Sequence, residues 1–305
     1  MFQPPYNWTD VRAQQSAGDL ALLVVIDSRD AEASTVALRA IFPALIHLGM
    51  PFCVHELAAG PLSLERVRSH RAVLLAQAGV SRALSAAEQA ALLAGLEEGV
   101  GLVSFDPLLP HAEGLAAGLA LRAGGTATCA SLCTTGNDSY LTHTREPGHV
   151  LPLIKPVPLL PAMVESTAQA VPLTGEGGVP ALVWGRLGAG RWVHYGLQPQ
   201  VWLNDYLGHA NGLDDVFWRS IVWAARKPFV MKAMPPFVTA RFDDCQGIGG
   251  LWWNIQQCLL RRPLHIPPPL QRMLCDLVPG RSSAVYGFGY IDVLNRHGII
   301  PAVGL

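Results

Sequence analysis

The chain has 305 residues, of which 50% are apolar and 15% are charged, and its formal net charge at pH 7 is −1. This length suits two domains or one large α/β domain, and the composition excludes extensive disorder, while the near-neutral charge without basic runs argues against a nucleic-acid partner. No apolar segment is long enough to cross a bilayer, so we expect no membrane span. The N-terminal residues do not have the pattern of a secretory signal, and the six cysteines form no C-x-x-C pair. We therefore expect a cytoplasmic protein with reduced thiols.

The first half of the chain alternates strand patterns with helix patterns. Such alternation predicts an α/β fold with a doubly wound, mostly parallel sheet of the flavodoxin type. Pro43 is expected to kink or shorten the first long helix, and Gly49 to end it. A capping box of Ser85 and Glu88 begins another helix. The predicted strands are 20–27, 51–57, 72–78 and 100–106, and the predicted helices are 34–49 and 85–98.

The pattern weakens between residues 108 and 180, where glycine, threonine and proline are frequent. This segment is either an irregular excursion or an antiparallel extension of the sheet. A hairpin follows at 181–197, turning at Gly188–Gly190, and these glycines fit a turn better than a phosphate loop because no helix follows them. Residues 213–228 form an amphipathic helix pattern ended by Pro228. We therefore predict one domain over 1–228 and a second over 229–305.

The second domain begins with the strand pattern FVTARFDD, which ends in two adjacent carboxylates, Asp243 and Asp244. Like charges in neighbouring positions repel, so a pair of this kind needs solvent or a cationic partner such as a metal. The same dipeptide at 214–215 only begins a helix. An acidic turn without chemical function is therefore the alternative for Asp243 and Asp244.

Two segments, RFDD at 241–244 and LNRHGIIPAVG at 294–304, resemble the start of the polysaccharide deacetylase (NodB-homology) family. The resemblance covers about a quarter of the chain. It implies the beginning of a distorted β/α barrel that removes N- or O-acetyl groups from a saccharide with a divalent metal, zinc being favoured. It also implies that Asp243 is the catalytic base and Asp244 a metal ligand. That division is chemically sensible, because hydrolysis needs a metal-activated water and a carboxylate that takes its proton.

The chain departs from the family pattern in three ways. Cys245 and Gln246 precede the glycine that normally follows the acid pair, and a long insertion contains Trp252 and Trp253. The family also needs a histidine pair of the form H-(S/T)-x-x-H, and no H-x-x-x-H occurs before the last residue, Leu305. One carboxylate without that pair does not make a metal site. We therefore expect a fragment that is inactive and without metal by itself, with an exposed sheet edge that favours self-association.

The first domain resembles the class I glutamine-amidotransferase-like superfamily in the segments HLGMPFCVHEL, GRLGAGRWVHYGL and DDVFWRSIVWAARKPF. Active members carry a cysteine on a tight glycine-flanked turn after a central strand. Here the corresponding strand, GLVSFDPLLP, has Ser104, Phe105 and Asp106, and no cysteine. The resemblance therefore implies a non-catalytic relative. The alternative to a deacetylase-like hydrolase is a sugar- or partner-binding module.

A zinc site is one alternative for Cys129, Cys133, His143 and His149, which are close in sequence. Their spacing fits no common zinc finger, so free thiols are the favoured interpretation.

Aromatic and histidine residues of the hairpin region raise two further hypotheses. His194 either lines a cleft or is a hydrogen-bonded core histidine, and the second is favoured. Three tryptophans, Trp184, Trp192 and Trp202, either form a platform on which a sugar stacks or belong to the core, which is again favoured.

Overall fold

A computed structural model describes residues 7–13, 15, 21–136, 139–143, 145–165, 169–203, 205–206, 213–226, 241–242 and 302–303. The chain divides into two units, Met1–Ala233 and Met234–Leu305. Asp243 and Asp244 lie outside the described residues, as does most of the segment predicted to begin a β/α barrel. Their assignment as base and metal ligand stays a prediction.

The first unit contains seven helices and eleven strands among its described residues. The helices are α1 (Trp8–Ala13), α2 (Ala31–His47), α3 (Leu64–Arg68), α4 (Val80–Ala83), α5 (Ala86–Glu97), α6 (Glu113–Gly118) and α7 (Leu213–Ala225). The strands are β1 (Leu22–Ile26), β2 (Phe52–Glu56), β3 (Ala72–Leu75), β4 (Gly101–Ser104), β5 (Leu121–Ala123), β6 (Ala127–Thr134), β7 (Val150–Leu159), β8 (Ala162–Val164), β9 (Ala170–Thr174), β10 (Pro180–Leu187) and β11 (Gly190–Tyr195). The second unit contributes β12 (Arg241–Phe242) and β13 (Ala302–Val303).

Nine strands of the first unit form one mixed sheet in the order β2-β1-β3-β4-β11-β10-β9-β6-β7. The first five strands pair in parallel. From β11 onward every pairing is antiparallel. The α/β class is as predicted, but the sheet is only half parallel. The segment 108–180 supplies strands β6, β7 and β9, so the antiparallel extension is the correct one of the two alternatives.

Helices cover both faces of the parallel half, which explains why its strands are apolar throughout. All five residues of β1 are buried. On one face α2 and α7 contribute Phe42 and Phe217 to a core that also contains Phe105. On the other face α3 and α5 contribute Val67 and Leu92. No helix among the described residues is both long enough and apolar enough to cross a bilayer.

Helix α2 shows how local sequence sets the bounds of an element. The Asp30 side chain accepts a hydrogen bond from the backbone N–H of Ala33 at its N-terminus. At its C-terminus Gly49 takes a left-handed conformation (φ +65°), and the N–H of Met50 bonds back to the carbonyl of Leu45. Gly49 therefore ends the helix as predicted. Pro43 does not shorten the helix, which continues through it to His47.

The outermost strand of the antiparallel half is β7, and among the named strands of the described residues it pairs only with β6. Its Ile154 N–H donates to the carbonyl of Tyr206 at 2.8 Å, and Leu159 forms an isolated bridge with Leu197. Strand β7 has ten residues, and Pro152, Pro156 and Pro158 are among them. Its Val150 and Ile154 side chains are exposed.

Candidate functional site

The ends of β1 and β3 define the switch point of the parallel half. The chain leaves β1 toward β2 on one side of the sheet order, and β3 then pairs on the other side of β1. In open α/β sheets this arrangement leaves a crevice beyond the carboxyl ends of the strands. A cleft of about 190 Å³ lies here, lined by Asp30, Glu32, Ala33, Val36, Ala78, Gln198, Pro199 and Gln200.

One wall of the cleft is the first turn of α2. Because Asp30 caps this helix, its carboxylate is held at the helix start by the 3.0 Å hydrogen bond from Ala33. Glu32 follows in the first turn and is exposed. Acidic side chains are favoured there by the helix dipole. The same residues that begin the helix thus place two carboxylates at the cleft.

The opposite wall is the turn that follows β11. A short 3₁₀ turn, Pro199–Trp202, carries Gln200 and follows Gln198 directly. Trp202 is 2% exposed and packs edge-on against Phe105, with ring centroids 6.2 Å apart, and against Phe217 at 5.0 Å. This aromatic contact anchors the turn to the core and therefore fixes where the two glutamines project.

Beneath the cleft, the ends of β1 and β3 are joined by Gln77. Its side chain accepts from the N–H of Asp27 at 2.9 Å and donates to the carbonyl of Asp27 at 3.0 Å. The Arg29 guanidinium binds both oxygens of the Asp27 carboxylate, at 2.7 and 2.9 Å. These hydrogen bonds hold the pKa of Asp27 below its ordinary value against the opposing effect of burial. The charge of Arg29 is therefore already neutralised by a protein carboxylate.

The lining of the cleft is acidic and hydrogen-bonding. Its described residues include two carboxylates and two carboxamides, and no lysine or arginine. Within the described part of the chain the side chains of Glu32, Gln198 and Gln200 make no hydrogen bond to protein. An anion would be repelled here, whereas hydroxyl or ammonium groups would find acceptors and amide donors.

The segment Ser104–Asp106, which replaces the expected nucleophile turn, is buried. The hydroxyl of Ser104 donates to the Asp106 carbonyl at 3.2 Å. The Asp106 carboxylate accepts backbone hydrogen bonds from Gly79, Ser81 and Leu108 at 2.7, 2.8 and 2.9 Å. Burial raises the pKa of Asp106, and these hydrogen bonds oppose the rise. Among the described residues, the end of β4 presents no exposed hydroxyl or thiol.

The hypothetical zinc residues do not come together. The Cys129 thiol is buried and donates to the carbonyl of Ser131, and burial raises its pKa. His143 contacts the Tyr140 carbonyl at 3.0 Å and Arg219 at 3.1 Å. No group of three or more potential ligands (His, Cys, Asp or Glu) occurs in the described part of the chain. Cys129 and Cys133 form no disulfide, as the favoured interpretation predicts.

His194 lies in the core on β11, as the favoured interpretation predicts, but it is not hydrogen-bonded as expected. It is 1% exposed, and neither ring nitrogen has a hydrogen-bond partner within the described residues. Burial lowers its pKa to about 3, so the ring is neutral at physiological pH.

The three tryptophans do not form a platform. Trp192 and Trp202 belong to the cores on opposite faces of the sheet. Trp184 is half-buried against Trp223, with ring centroids 4.8 Å apart. The core interpretation is therefore confirmed for Trp192 and Trp202.

Sequence reasoning missed the residues that line the cleft. The N-cap at Asp30, directly after a strand, was a usable signal for one wall. Nothing in the sequence around Gln198 and Gln200 indicates that this turn faces the same cleft, because the two walls are more than 160 positions apart along the chain.

Comparison with known proteins places the fold among solved structures. No family model matches the sequence, and no curated protein does. A ThuA-like protein from Bacteroides uniformis ATCC 8492 superposes with a TM-score of 0.51 at 11% identity, over 73% of this chain and 95% of that one. The likeness is one of fold alone.

Two other solved structures give lower scores. The cytoplasmic protein STM3548 from Salmonella typhimurium gives a TM-score of 0.48 at 12% identity, over 68% of this chain and all of that one. The carbohydrate deacetylase Agd3 gives 0.45 at 16% identity, over 69% of this chain and 33% of that one.

Proposed function

We propose that the chain is a carbohydrate-active protein whose first unit binds a saccharide in the cleft at the ends of β1 and β3. The observation that carries this proposal is the set of side chains at the cleft. Asp30 and Glu32 face a turn with Gln198 and Gln200, and none of the described residues that line the space between them is a lysine or arginine. The unit would act as a binding module, since the end of β4 offers a buried Ser104 in place of a nucleophile.

Sugar hydroxyls both donate and accept hydrogen bonds, and this lining supplies both partners. A carboxylate accepts from two neighbouring hydroxyls, and a carboxamide donates and accepts at once. A phosphorylated sugar would meet two negative charges and is disfavoured. The volume of about 190 Å³ is below the range of about 300–1,000 Å³ typical of enclosed ligand pockets, so the cleft fits a single ring or a chain end.

The test is calorimetric titration of the chain with neutral hexoses, hexosamines and short oligosaccharides. Glu32→Gln should weaken the affinity about tenfold, because a hydrogen bond to a charged acceptor contributes about 1.5–3 kcal/mol. The matched control is Glu113→Gln, since Glu113 is an exposed acid in the first turn of α6 and does not line the cleft.

Either of two outcomes would contradict the proposal. The first is the absence of saturable binding by any saccharide. The second is an equal loss of affinity in the Glu32 and Glu113 variants, which would reflect charge alone.

A second function, deacetylation by residues 234–305, is favoured by the pairing of β12 with β13. These strands pair in parallel, with Arg241 opposite Ala302 and Phe242 opposite Val303. They come from the two segments that carry the resemblance to polysaccharide deacetylases. Parallel strands require a crossover connection between them, and a β/α barrel is built from such repeats.

In this second function Asp243 directly follows β12 and would take the proton of the attacking water. Asp244 would be a ligand of a divalent metal, which would supply Lewis-acid activation of that water. In β/α barrels catalytic residues follow the carboxyl ends of strands, and the position of Asp243 in the sequence agrees with that rule. Because no H-x-x-x-H occurs in the 305 residues, we expect no acetate release from this chain alone.

The coding sequence beyond the codon for Leu305 tests the deacetylase proposal first. An open frame that encodes H-(S/T)-x-x-H is expected. In the longer protein, Asp243→Asn should abolish acetate release from acetylated saccharides, whereas Asp214→Asn, at the start of α7, should not change it. A stop codon directly after Leu305 would overturn this function and leave the binding module.

A further inference from the structure

A second cavity, of about 480 Å³, lies beside β2 and shares no residue with the cleft. β2 is the end strand of the sheet. The Gln15 side chain accepts the Val54 N–H at 2.8 Å. The polar residues of the lining are Arg12, Gln15, His55, Glu56 and Arg66. Its volume is within the range typical of small-molecule sites.

The cavity has an excess of positive charge. Arg12 is paired with Glu56 at 3.1 Å. Arg66, on α3, is exposed, and its guanidinium has no hydrogen-bond or ion-pair partner in the part of the chain that the structure describes. An arginine at a cavity wall with its five donors free is a ready partner for a planar anion, because a guanidinium and a carboxylate match in two parallel hydrogen bonds.

His55 supplies a neutral partner in the same cavity. Its Nε2 is buried and has no hydrogen-bond partner among the described residues. Burial, followed by the charge of Arg66, lowers the pKa of His55, so the ring is neutral. In a neutral ring Nε2 is either an N–H that lacks an acceptor or an acceptor that lacks a donor, and a hydroxyl can serve as its partner in both cases.

We propose that this cavity binds a hydroxycarboxylate of sugar-acid size, whose carboxylate pairs with Arg66 and whose hydroxyl forms a hydrogen bond with Nε2 of His55. Charge selects the carboxylate. Among the described lining residues two arginines stand against one glutamate. One carboxylate neutralises this excess of one positive charge, whereas a phosphate dianion would leave one negative charge uncompensated. The unpaired Nε2 selects the hydroxyl, because a hydroxyl can donate to it or accept from it and a buried ring nitrogen is costly to leave unpaired.

Titration calorimetry with glucuronate, glycolate, acetate and inorganic phosphate tests the charge selection. Glucuronate should bind saturably and more tightly than phosphate. Arg66→Gln should lower the affinity for glucuronate at least tenfold. Arg82→Gln is the matched control, since Arg82 is an exposed arginine on α4 that lines neither cavity, and it should bind as the unaltered protein does. Equal binding by the two variants, or tighter binding of phosphate, would overturn the proposal.

The ratio of glycolate to acetate affinity tests the role of His55, because these ligands differ by one hydroxyl. The unaltered protein should prefer glycolate, and His55→Phe should abolish that preference while acetate still binds. An unaltered protein that does not distinguish the two would overturn the proposal, whether or not the His55 variant folds. Glu32→Gln should leave glucuronate binding unchanged, which separates this site from the saccharide cleft.

Discussion

The hydroxyl of Ser81 donates a hydrogen bond to the carboxylate of Asp106, and this contact links the segment after β3 to the segment after β4. Backbone N–H groups of Gly79, Ser81 and Leu108 donate to the same carboxylate. All the groups directed at Asp106 are donors. The carboxylate therefore holds together the carboxyl ends of two central strands, β3 and β4, on the side of the sheet where the cleft lies.

Asp106→Asn should lower the free energy of unfolding by about 2–3 kcal/mol, because the amide nitrogen would face donors and leave buried groups unpaired. Urea unfolding followed by tryptophan fluorescence measures this. Asp205→Asn is the control, since the Asp205 side chain is 77% exposed and its ion pair with Lys155 spans 3.5 Å. Such surface pairs contribute at most about 1 kcal/mol. Equal losses in the two variants would refute the role assigned to Asp106.

His194 should make the protein less stable in acid. Its pKa is lowered to about 3 by burial, whereas an unfolded histidine titrates near 6.5. Between these values the unfolded chain binds the additional proton, so stability falls as the pH drops below about 6.5, by about 1.4 kcal/mol per pH unit. Above that pH the contribution is complete.

Replacement of His194 by leucine isolates this effect. His194→Leu should stabilise the protein near pH 4.5 relative to the unaltered chain and should flatten the pH profile of its unfolding free energy. The exposed His111 is the control, and His111→Gln should leave the profile unchanged. A His194→Leu profile parallel to that of the unaltered protein would show that the ring is protonated or hydrogen-bonded in the fold.

Gly190 should not tolerate a side chain. A Cβ at this position would collide with the backbone carbonyl of Leu96 and would lie 2.8 Å from that of Val100, where α5 ends against the β10–β11 hairpin. Gly190→Ala should therefore destabilise the fold by about 1–3 kcal/mol in thermal or urea unfolding. Gly125→Ala, which has nothing within 4 Å of the added Cβ, should be neutral or slightly stabilising. A neutral Gly190 variant would mean that the hairpin and α5 separate readily.

Tyr195 and Ser220 should be energetically coupled. Their hydroxyl oxygens are 2.7 Å apart, and the Ser220 hydroxyl also donates to the Val216 carbonyl at 2.7 Å, so β11 is tied to α7. Tyr195→Phe should lower the unfolding free energy by about 0.5–1.5 kcal/mol. In a double-mutant cycle with Ser220→Ala, the combined loss should be smaller than the sum of the single losses. Strict additivity would contradict a shared hydrogen bond.

The sequence predicts the elements that local signals define. Ser85 and Glu88 form the capping box of α5, and Gly188 turns the hairpin with φ +55°. These are interactions between residues near each other in the chain. The strands β6 and β7 were not resolved from the sequence, because prolines interrupt the alternation of β7 and the place of β6 in the sheet also depends on its pairing with β9. Pro43 does not shorten α2, because burial of Phe42 and Leu45 on the sheet offsets the hydrogen bond that a proline cannot donate.

The candidate sites were less predictable than the fold. The cleft joins the start of α2 to the turn after β11, and the second cavity joins Arg12 to Arg66 across the end of β2. Neither set has a characteristic spacing in the sequence. Tertiary packing alone brings these residues together, whereas the acid pair Asp243–Asp244, which does have a recognisable spacing, lies outside the described residues.

The prolines of β7 affect how this edge of the sheet can associate with other molecules. Three of the ten positions of this edge strand have no N–H to offer. A strand from a second copy laid alongside would find an interrupted ladder, and the rows of bonds that sustain fibril growth or strand exchange would be incomplete. The β7 edge therefore disfavours association of two copies through a shared sheet. Other macromolecules would contact this edge through exposed side chains such as Ile154.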